Sequence, residues 1–264
     1  MTALSENTYY SAESSRKFVS VSQYKSFLKC EAATMAELNG EYEPERGRAL
    51  LLGSYVDEML TGTKESQDAF VEENRAELLK KNGEPYADVA QADEAIDCVK
   101  KQPLMMKFLD GEHQTIMTGE IEGVPIKGKF DSYKPGEFVA DLKYLKDFRS
   151  PNFFENAISY YGYDTQLAVY RELVRQNGGG DLPCYLVIVT KQSPPDVAVA
   201  EVNEFDLDMA LAKFKANVRR IQDIKDGKIQ PERCEGHDCA YCRATKVLTE
   251  PIDSNLLGMS KKTE

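Results

Sequence analysis

Asp131 stands ten residues ahead of the tripeptide Asp141-Leu142-Lys143, so two carboxylates and a lysine lie where neighbouring strands could bring them together. Between them Lys134-Pro135-Gly136 has the composition of a turn, and Phe138-Val139-Ala140-Asp141-Leu142-Lys143 that of a strand. Side chains alternate along a strand, which puts Asp141 and Lys143 on one face and Leu142 on the other, toward a core. Two carboxylates suit Mg²⁺ or Mn²⁺, which favour a few protein oxygens completed by water and phosphate, and the Leu142 carbonyl could add a third oxygen. Such a cation lowers the pKa of a bound water and neutralises charge at phosphorus. Lys143 beside it could hold or help deprotonate the attacking water and stabilise a phosphorane. The set can therefore hydrolyse a phosphodiester.

The elements that must position these residues follow from periodicity. Ser22 is placed to cap a helix carrying Tyr24, Phe27, Leu28, Met35 and Leu38 on one face, with Cys30 riding on it and Asn39-Gly40 closing it. A second helix is predicted over residues 46–60, containing Gly53-Ser54-Tyr55-Val56-Asp57-Glu58. Polar helices are predicted over 66–81 and 88–101, and Pro103 opens a short one. Thr115 to Ile121 and Val124 to Asp131 read as strands joined by Glu122-Gly123, and with the Asp141 strand they predict an antiparallel meander. A long helix after Pro151 carries Tyr163, Gln166, Leu167, Tyr170 and Leu173 and ends at Gly178-Gly179-Gly180. Cys184 to Thr190 is a nearly continuous apolar run, as in a strand buried on both faces. Val197 to Phe205 alternates like a more exposed strand. A helix from Leu207 to Asp226 is amphipathic through Met209, Phe214, Val218 and Ile221. Mixed strands between two sets of helices predict a three-layer α/β domain.

The chain has 264 residues, with 33 basic against 44 acidic side chains and a formal net charge of −11. That balance argues against a passive coat on nucleic acid but not against an enzyme with a local basic surface. Lys127, Lys129, Lys134, Lys143, Lys146 and Arg149 are the candidates for phosphate contacts. No run approaches the roughly 20 apolar residues of a membrane span, and Met1 to Tyr10 lacks the layout of an export signal, which predicts a cytoplasmic protein. Cysteines there stay reduced. Cys98 and Cys184, set among apolar residues, are predicted to be buried, and His113 to lie in a loop. Cys234, Cys239 and Cys242 cluster in a short loop, an arrangement suited to a metal or cluster site. His237 beside them would complete a Cys₃His zinc site.

Gly128-x-x-Asp131, Asp141-x-Lys143 and Gln166-x-x-x-Tyr170 together resemble the RecB-like branch of the PD-(D/E)XK nucleases. More narrowly, Ser20-x-Ser22, Leu52-Gly53-Ser54-Tyr55-Val56-Asp57 and Gly119-Glu120-Ile121-x-Gly123-Val124 look like the phage-type RecE-like exodeoxyribonucleases. The resemblance extends from Ser20 to Arg243. It implies a restriction-endonuclease-like core over residues 20–248, with a helical part at 20–112, catalytic sheet and helices at 113–230 and a cysteine loop at 231–243. An N-terminal extension (1–19) and a tail (249–264) flank it. It implies that Asp131 and Asp141 ligate metal, that Lys143 is the catalytic lysine and that Gln166 and Tyr170 support the site. Where the family places a metal-binding histidine, this chain has Asp57, still an oxygen ligand, with Glu58 and Glu120 as secondary candidates. The cysteine triplet resembles that of the iron–sulfur RecB-like nucleases, in which a distant fourth cysteine, here Cys30, completes a structural [4Fe-4S] cluster. The function so implied is a metal-dependent DNA exonuclease of phage or mobile-element recombination or repair. It would act at duplex ends, hand over to a single-strand annealing protein, and could form a homo-oligomer. The alternative is a catalytically silent nucleic-acid-binding or assembly module.

Overall fold

The computed structural model describes residues 4–45, 47–149, 156–234, 236, 239–248 and 251. Before the first strand the chain is helical: α1 (Glu6–Tyr9), α2 (Ala12–Lys17), α3 (Val21–Lys29), α4 (Glu31–Leu38), α5 (Arg48–Thr61), α6 (Lys64–Glu73), α7 (Arg75–Leu78), α8 (Ala87–Lys100) and α9 (Pro103–Phe108). Side-chain caps set several starts: the hydroxyls of Ser11, Ser20 and Thr63 each accept the amide three residues on. The predicted single helix from Ser22 to Asn39 is in fact two, with Ser20 rather than Ser22 as the first cap. Cys30 adopts extended backbone (φ −164°, ψ 107°) and its Sγ accepts the Ala33 amide at 3.4 Å, closing α3 and opening α4. The predicted helix over 66–81 likewise divides at Asn74, whose side-chain amide turns back to the Phe70 carbonyl at 2.8 Å.

Six strands follow: β1 (Thr115–Ile121), β2 (Val124–Phe130), β3 (Ser132–Lys134), β4 (Phe138–Leu145), β5 (Cys184–Thr190) and β6 (Val197–Val202). Glu122 and Gly123, both at positive φ, make the tight turn from β1 to β2. The predicted continuous meander is not formed. Asp131 interrupts the chain after β2, so β1–β2 is a separate antiparallel ribbon and the four-stranded sheet runs β3-β4-β5-β6. Within it β4 and β5 are parallel, while β3–β4 and β5–β6 are antiparallel. A parallel pair needs a long crossover. Here it contains α10 (Ala157–Tyr160) and α11 (Tyr163–Gln176), separated by Gly162 at φ +63°. The helix expected to run on from Pro151 is therefore broken at Gly162, and residues 151–155 lie outside the described residues. The last helices are α12 (Glu204–Lys225), capped by Asn203, and the short α13 (Ala240–Ala244).

Alternation along β4 and β5 divides the core into two layers. Val139, Leu186 and Ile188 pack with α3, α11, α12 and the β1–β2 ribbon. Phe138, Ala140, Leu142, Val187 and Val189 pack on the other face against α5, α8 and α9. This is the expected three-layer arrangement, a mixed sheet between helices. Two details depart from the pattern: Met209 is exposed rather than on the buried stripe of α12, and Cys98 is only half-buried.

The segment before α3 is packed into the domain. Val19 exchanges backbone hydrogen bonds with β2, its amide to Pro125 O and its carbonyl to Lys127 N. The buried Lys127 ammonium donates to Tyr9 O at 2.6 Å and Ser14 Oγ at 3.0 Å. Lys225 holds Phe18 O at 2.9 Å from the other side.

Candidate active site and cysteine centre

Asp141 lies wholly buried on the β4 face turned toward α11. Its Oδ1 accepts Gln166 Nε2 at 2.8 Å, and its Oδ2 is ion-paired to Lys143 two residues on. Asp131, at the β2–β3 break, accepts the Leu142 amide on Oδ2 at 3.1 Å, while its carbonyl accepts His113 Nδ1–H at 2.9 Å. On α5, Asp57 Oδ2 accepts Gln114 Nε2 at 2.9 Å. Gln166 also donates to the Tyr170 hydroxyl at 3.2 Å, which donates on to Lys129 O at 2.7 Å. Gly128 makes that approach possible: a Cβ there would meet Leu173 Cδ1 at 2.9 Å and the Tyr170 ring at 3.1 Å.

The sequence-predicted residues Asp57, Asp131, Leu142, Lys143, Gln166 and Tyr170 line one cleft of about 970 Å³, against the buried Asp141. Its electrostatics show three carboxylates crowded around one lysine. Burial, then the Asp141 charge, holds Asp131 well above the usual carboxylate range. The same two causes push Asp57 up to about 6. Burial opposes the Lys143 charge, but Asp141 and Asp131 outweigh it and raise the ammonium. Hard oxygen donors that repel one another in a half-dry cleft are a donor set fitted to a divalent cation such as Mg²⁺ or Mn²⁺.

In a second cluster, the sulfurs of Cys30, Cys234, Cys239 and Cys242 lie within 4.8 Å of one another, with Cys30 and Cys242 at 3.6 Å. Tetrahedral thiolates around one ion at about 2.3 Å would stand about 3.8 Å apart, so the four fit a metal ion. Cys30 and Cys239 are both helix caps, accepting the Ala33 and Cys242 amides. Burial and the Cys239 contact push the Cys242 thiol up to about 12. Arg220 ties the loop down by bridging Glu31 of α4 and Glu232. His237, the alternative ligand, lies outside the described residues.

A family model described as a PDDEXK-like domain of unknown function (DUF3799) matches residues 20–245. The chain belongs to that family. It is also similar to a protein from Eubacterium rectale, described as a candidate exonuclease, whose crystal structure matches at 37% identity and a TM-score of 0.90 over 98% of this chain and 99% of that one. No curated protein matches the chain. Among the described residues, no helix is long and apolar enough to cross a membrane.

Not every residue expected near the PDDEXK-like site is there. Lys127 is not available to phosphate, because its ammonium is buried on Tyr9 and Ser14. Lys134 faces Asp110 at 3.5 Å and Glu137 at 3.9 Å, and Arg149 faces Asp147 at 3.7 Å. Lys129 lies beside the Tyr10 ring in the cleft, and Lys146 is exposed. Glu58 lines the cleft and accepts the Ser66 hydroxyl, whereas Glu120 is exposed on β1 with its backbone bonded to Gln176. Sequence reasoning missed four neighbours. His113 and Gln114 hold Asp131 and Asp57, Tyr163 lies 5.2 Å under the Lys143 ammonium, and Lys25 reaches the same ring at 5.3 Å. None carries a local motif; their roles come from the fold of distant segments.

Proposed function

We propose that this PDDEXK-like protein is a divalent-metal-dependent deoxyribonuclease of the RecB-like branch, an exonuclease of RecE-like type acting on DNA ends. The convergence of Asp57, Asp131 and Asp141 on Lys143 in one cleft carries the reading. Asp57, Asp131 and Asp141, with the Leu142 backbone, are the residues that would hold Mg²⁺ or Mn²⁺. Bound there, the cation supplies charge neutralisation at the phosphate and an acidified water. Lys143 then holds the attacking water and balances charge on the phosphorane. Gln166 fixes the Asp141 carboxylate, and Tyr170, anchored on Lys129 O, fixes Gln166. His113 and Gln114 do the same for Asp131 and Asp57. The recombination setting, the annealing partner, the ring or other homo-oligomer and the cytoplasmic location follow from the RecE-like resemblance alone.

Linear duplex DNA incubated with the protein and Mg²⁺ or Mn²⁺ tests this. Degradation that requires the metal, and is lost in Asp141→Ala and Lys143→Ala, is the expected result. Degradation that is absent, or equal in both variants, overturns it in favour of a silent binding or assembly module.

For the cysteine centre we propose a single structural ion, Zn²⁺, on Cys30, Cys234, Cys239 and Cys242. Sulfur separations within 4.8 Å support it. A [4Fe-4S] cube, implied by the resemblance, interposes four irons and four sulfides and needs its thiolates farther apart. Colourless protein with one zinc per chain is expected; brown protein with iron and acid-labile sulfide would refute the zinc assignment.

A further inference from the structure

We propose that Lys25, Tyr163, Tyr161 and Tyr160 form a binding track for the unpaired end of a DNA strand, leading it to Asp141 and Lys143. The inference rests on the nuclease reading and names its substrate class. Tyr163 lines the cleft and carries two ammonium groups near one ring, Lys143 at 5.2 Å and Lys25 at 5.3 Å. The Lys25 ammonium is held on that ring, with Lys143, Asp141, Asp164 and Lys29 as its charged neighbours. Lys143 is ion-paired to Asp141, so it is the Lys25 ammonium, within the fields of Asp141 and Asp164, that offers a cation to a nucleic-acid phosphate. Gly162, left-handed at φ +63°, lies against this pair, with its would-be Cβ 3.0 Å from Lys25 Cε.

The ring series continues outward. Tyr161 follows Tyr163 at 5.7 Å and 30°, and Tyr160 follows Tyr161 at 5.0 Å and 89°. Tyr160 and Tyr161 are 44% and 40% exposed, so aromatic faces run from solvent to the catalytic lysine. Bases stacked inside a duplex offer no face to such rings, whereas unpaired bases do. The track therefore selects a single-stranded, tailed or frayed end over a closed blunt duplex.

The test uses the full chain in buffer without added Mg²⁺ or Mn²⁺ and without chelator, so that binding is read without turnover, with 2-aminopurine placed in a short oligodeoxynucleotide either free or within a blunt hairpin. Quenching and tighter binding of the free strand are expected. Tyr160→Ala/Tyr161→Ala should weaken free-strand binding about 10-fold and leave the hairpin unchanged. Tyr160→Phe/Tyr161→Phe should restore it, which separates stacking from misfolding. Lys25→Gln should weaken it and lower the slope of log affinity against log salt by about one. Equal binding of strand and hairpin by the wild type, or full affinity in the Ala pair, overturns the track. Strand binding that persists in a protein unable to cleave DNA with Mg²⁺ upholds the track and removes the enzyme reading instead.

Discussion

Replacing Cys30 by serine removes the one thiol of the proposed ion site that comes from the N-terminal helices. Cys30 and Cys242 are 212 residues apart in sequence, with their sulfurs 3.6 Å apart. An ion bound only by the folded state and present at about 100–1,000 times its dissociation constant adds about 3–4 kcal/mol of stability. At about 2–4 °C per kcal/mol for a domain of this size, losing it should lower the midpoint of thermal unfolding by about 6–16 °C. Metal bound only by the folded state should make the same loss reproducible with a chelator. Circular dichroism melts of the wild type, with and without chelator, and of Cys30→Ser would measure it. Cys98→Ser, which removes a half-buried thiol outside the centre, is the control. A Cys30→Ser protein melting within about 2 °C of the wild type, itself indifferent to chelator, would refute the clasp, because a folded state that binds an ion must lose that binding free energy with it.

Gly128→Ala should destabilise by about 1–3 kcal/mol, since its methyl would press Leu173 at 2.9 Å and Tyr170 at 3.1 Å; a melt with unchanged midpoint would show that α11 is not so close. Gln166→Leu should raise the Mg²⁺ concentration for half-maximal cleavage about 10-fold or more, by releasing the Asp141 carboxylate, and a metal titration of activity reads it. Burial pushes the Lys127 ammonium down to about 8 from the ordinary 10.5, so between those values the unfolded chain binds the extra proton and folding stability rises with pH. Lys127→Met should abolish that part of the rise, checked by urea melts at pH 7.5 to 10.5; an unchanged slope would place the charge elsewhere.

The fold class was readable because period-2 and period-3.6 patterns are local and strong here. The two-sided burial of β5 follows from six consecutive apolar residues, and the face of Asp141 follows from its neighbours Val139 and Leu142. The spacing of the candidate site was readable for the same reason, since Gln166 and Tyr170 are one helical turn apart and project together toward Asp141. What could not be read is whatever depends on distant chain segments meeting. Lys127 looks like any surface lysine until Tyr9 and Ser14 cover it. Lys25 and Tyr163 carry no shared motif and meet only because α3 lies across α11.

The failures of local pattern are themselves informative, because they fall at Cys30, Asp131 and Gly162. A helix should have continued through Cys30, but its backbone turns extended, so that its sulfur caps α4 and faces Cys242. A strand should have continued through Asp131. It breaks there instead, leaving the carbonyl to His113 and the carboxylate to the Leu142 amide, beside Asp141. A helix should have continued through Gly162, where a left-handed residue lets Lys25 in against Tyr163. Regular elements satisfy their own backbone groups and aim side chains by their period alone. A side chain that must point at a partner from another segment, at an angle no period provides, requires the element to stop. The three interruptions thus have one physical cause: each gives up a turn of helix or a rung of sheet to aim a side chain at a partner from a distant segment.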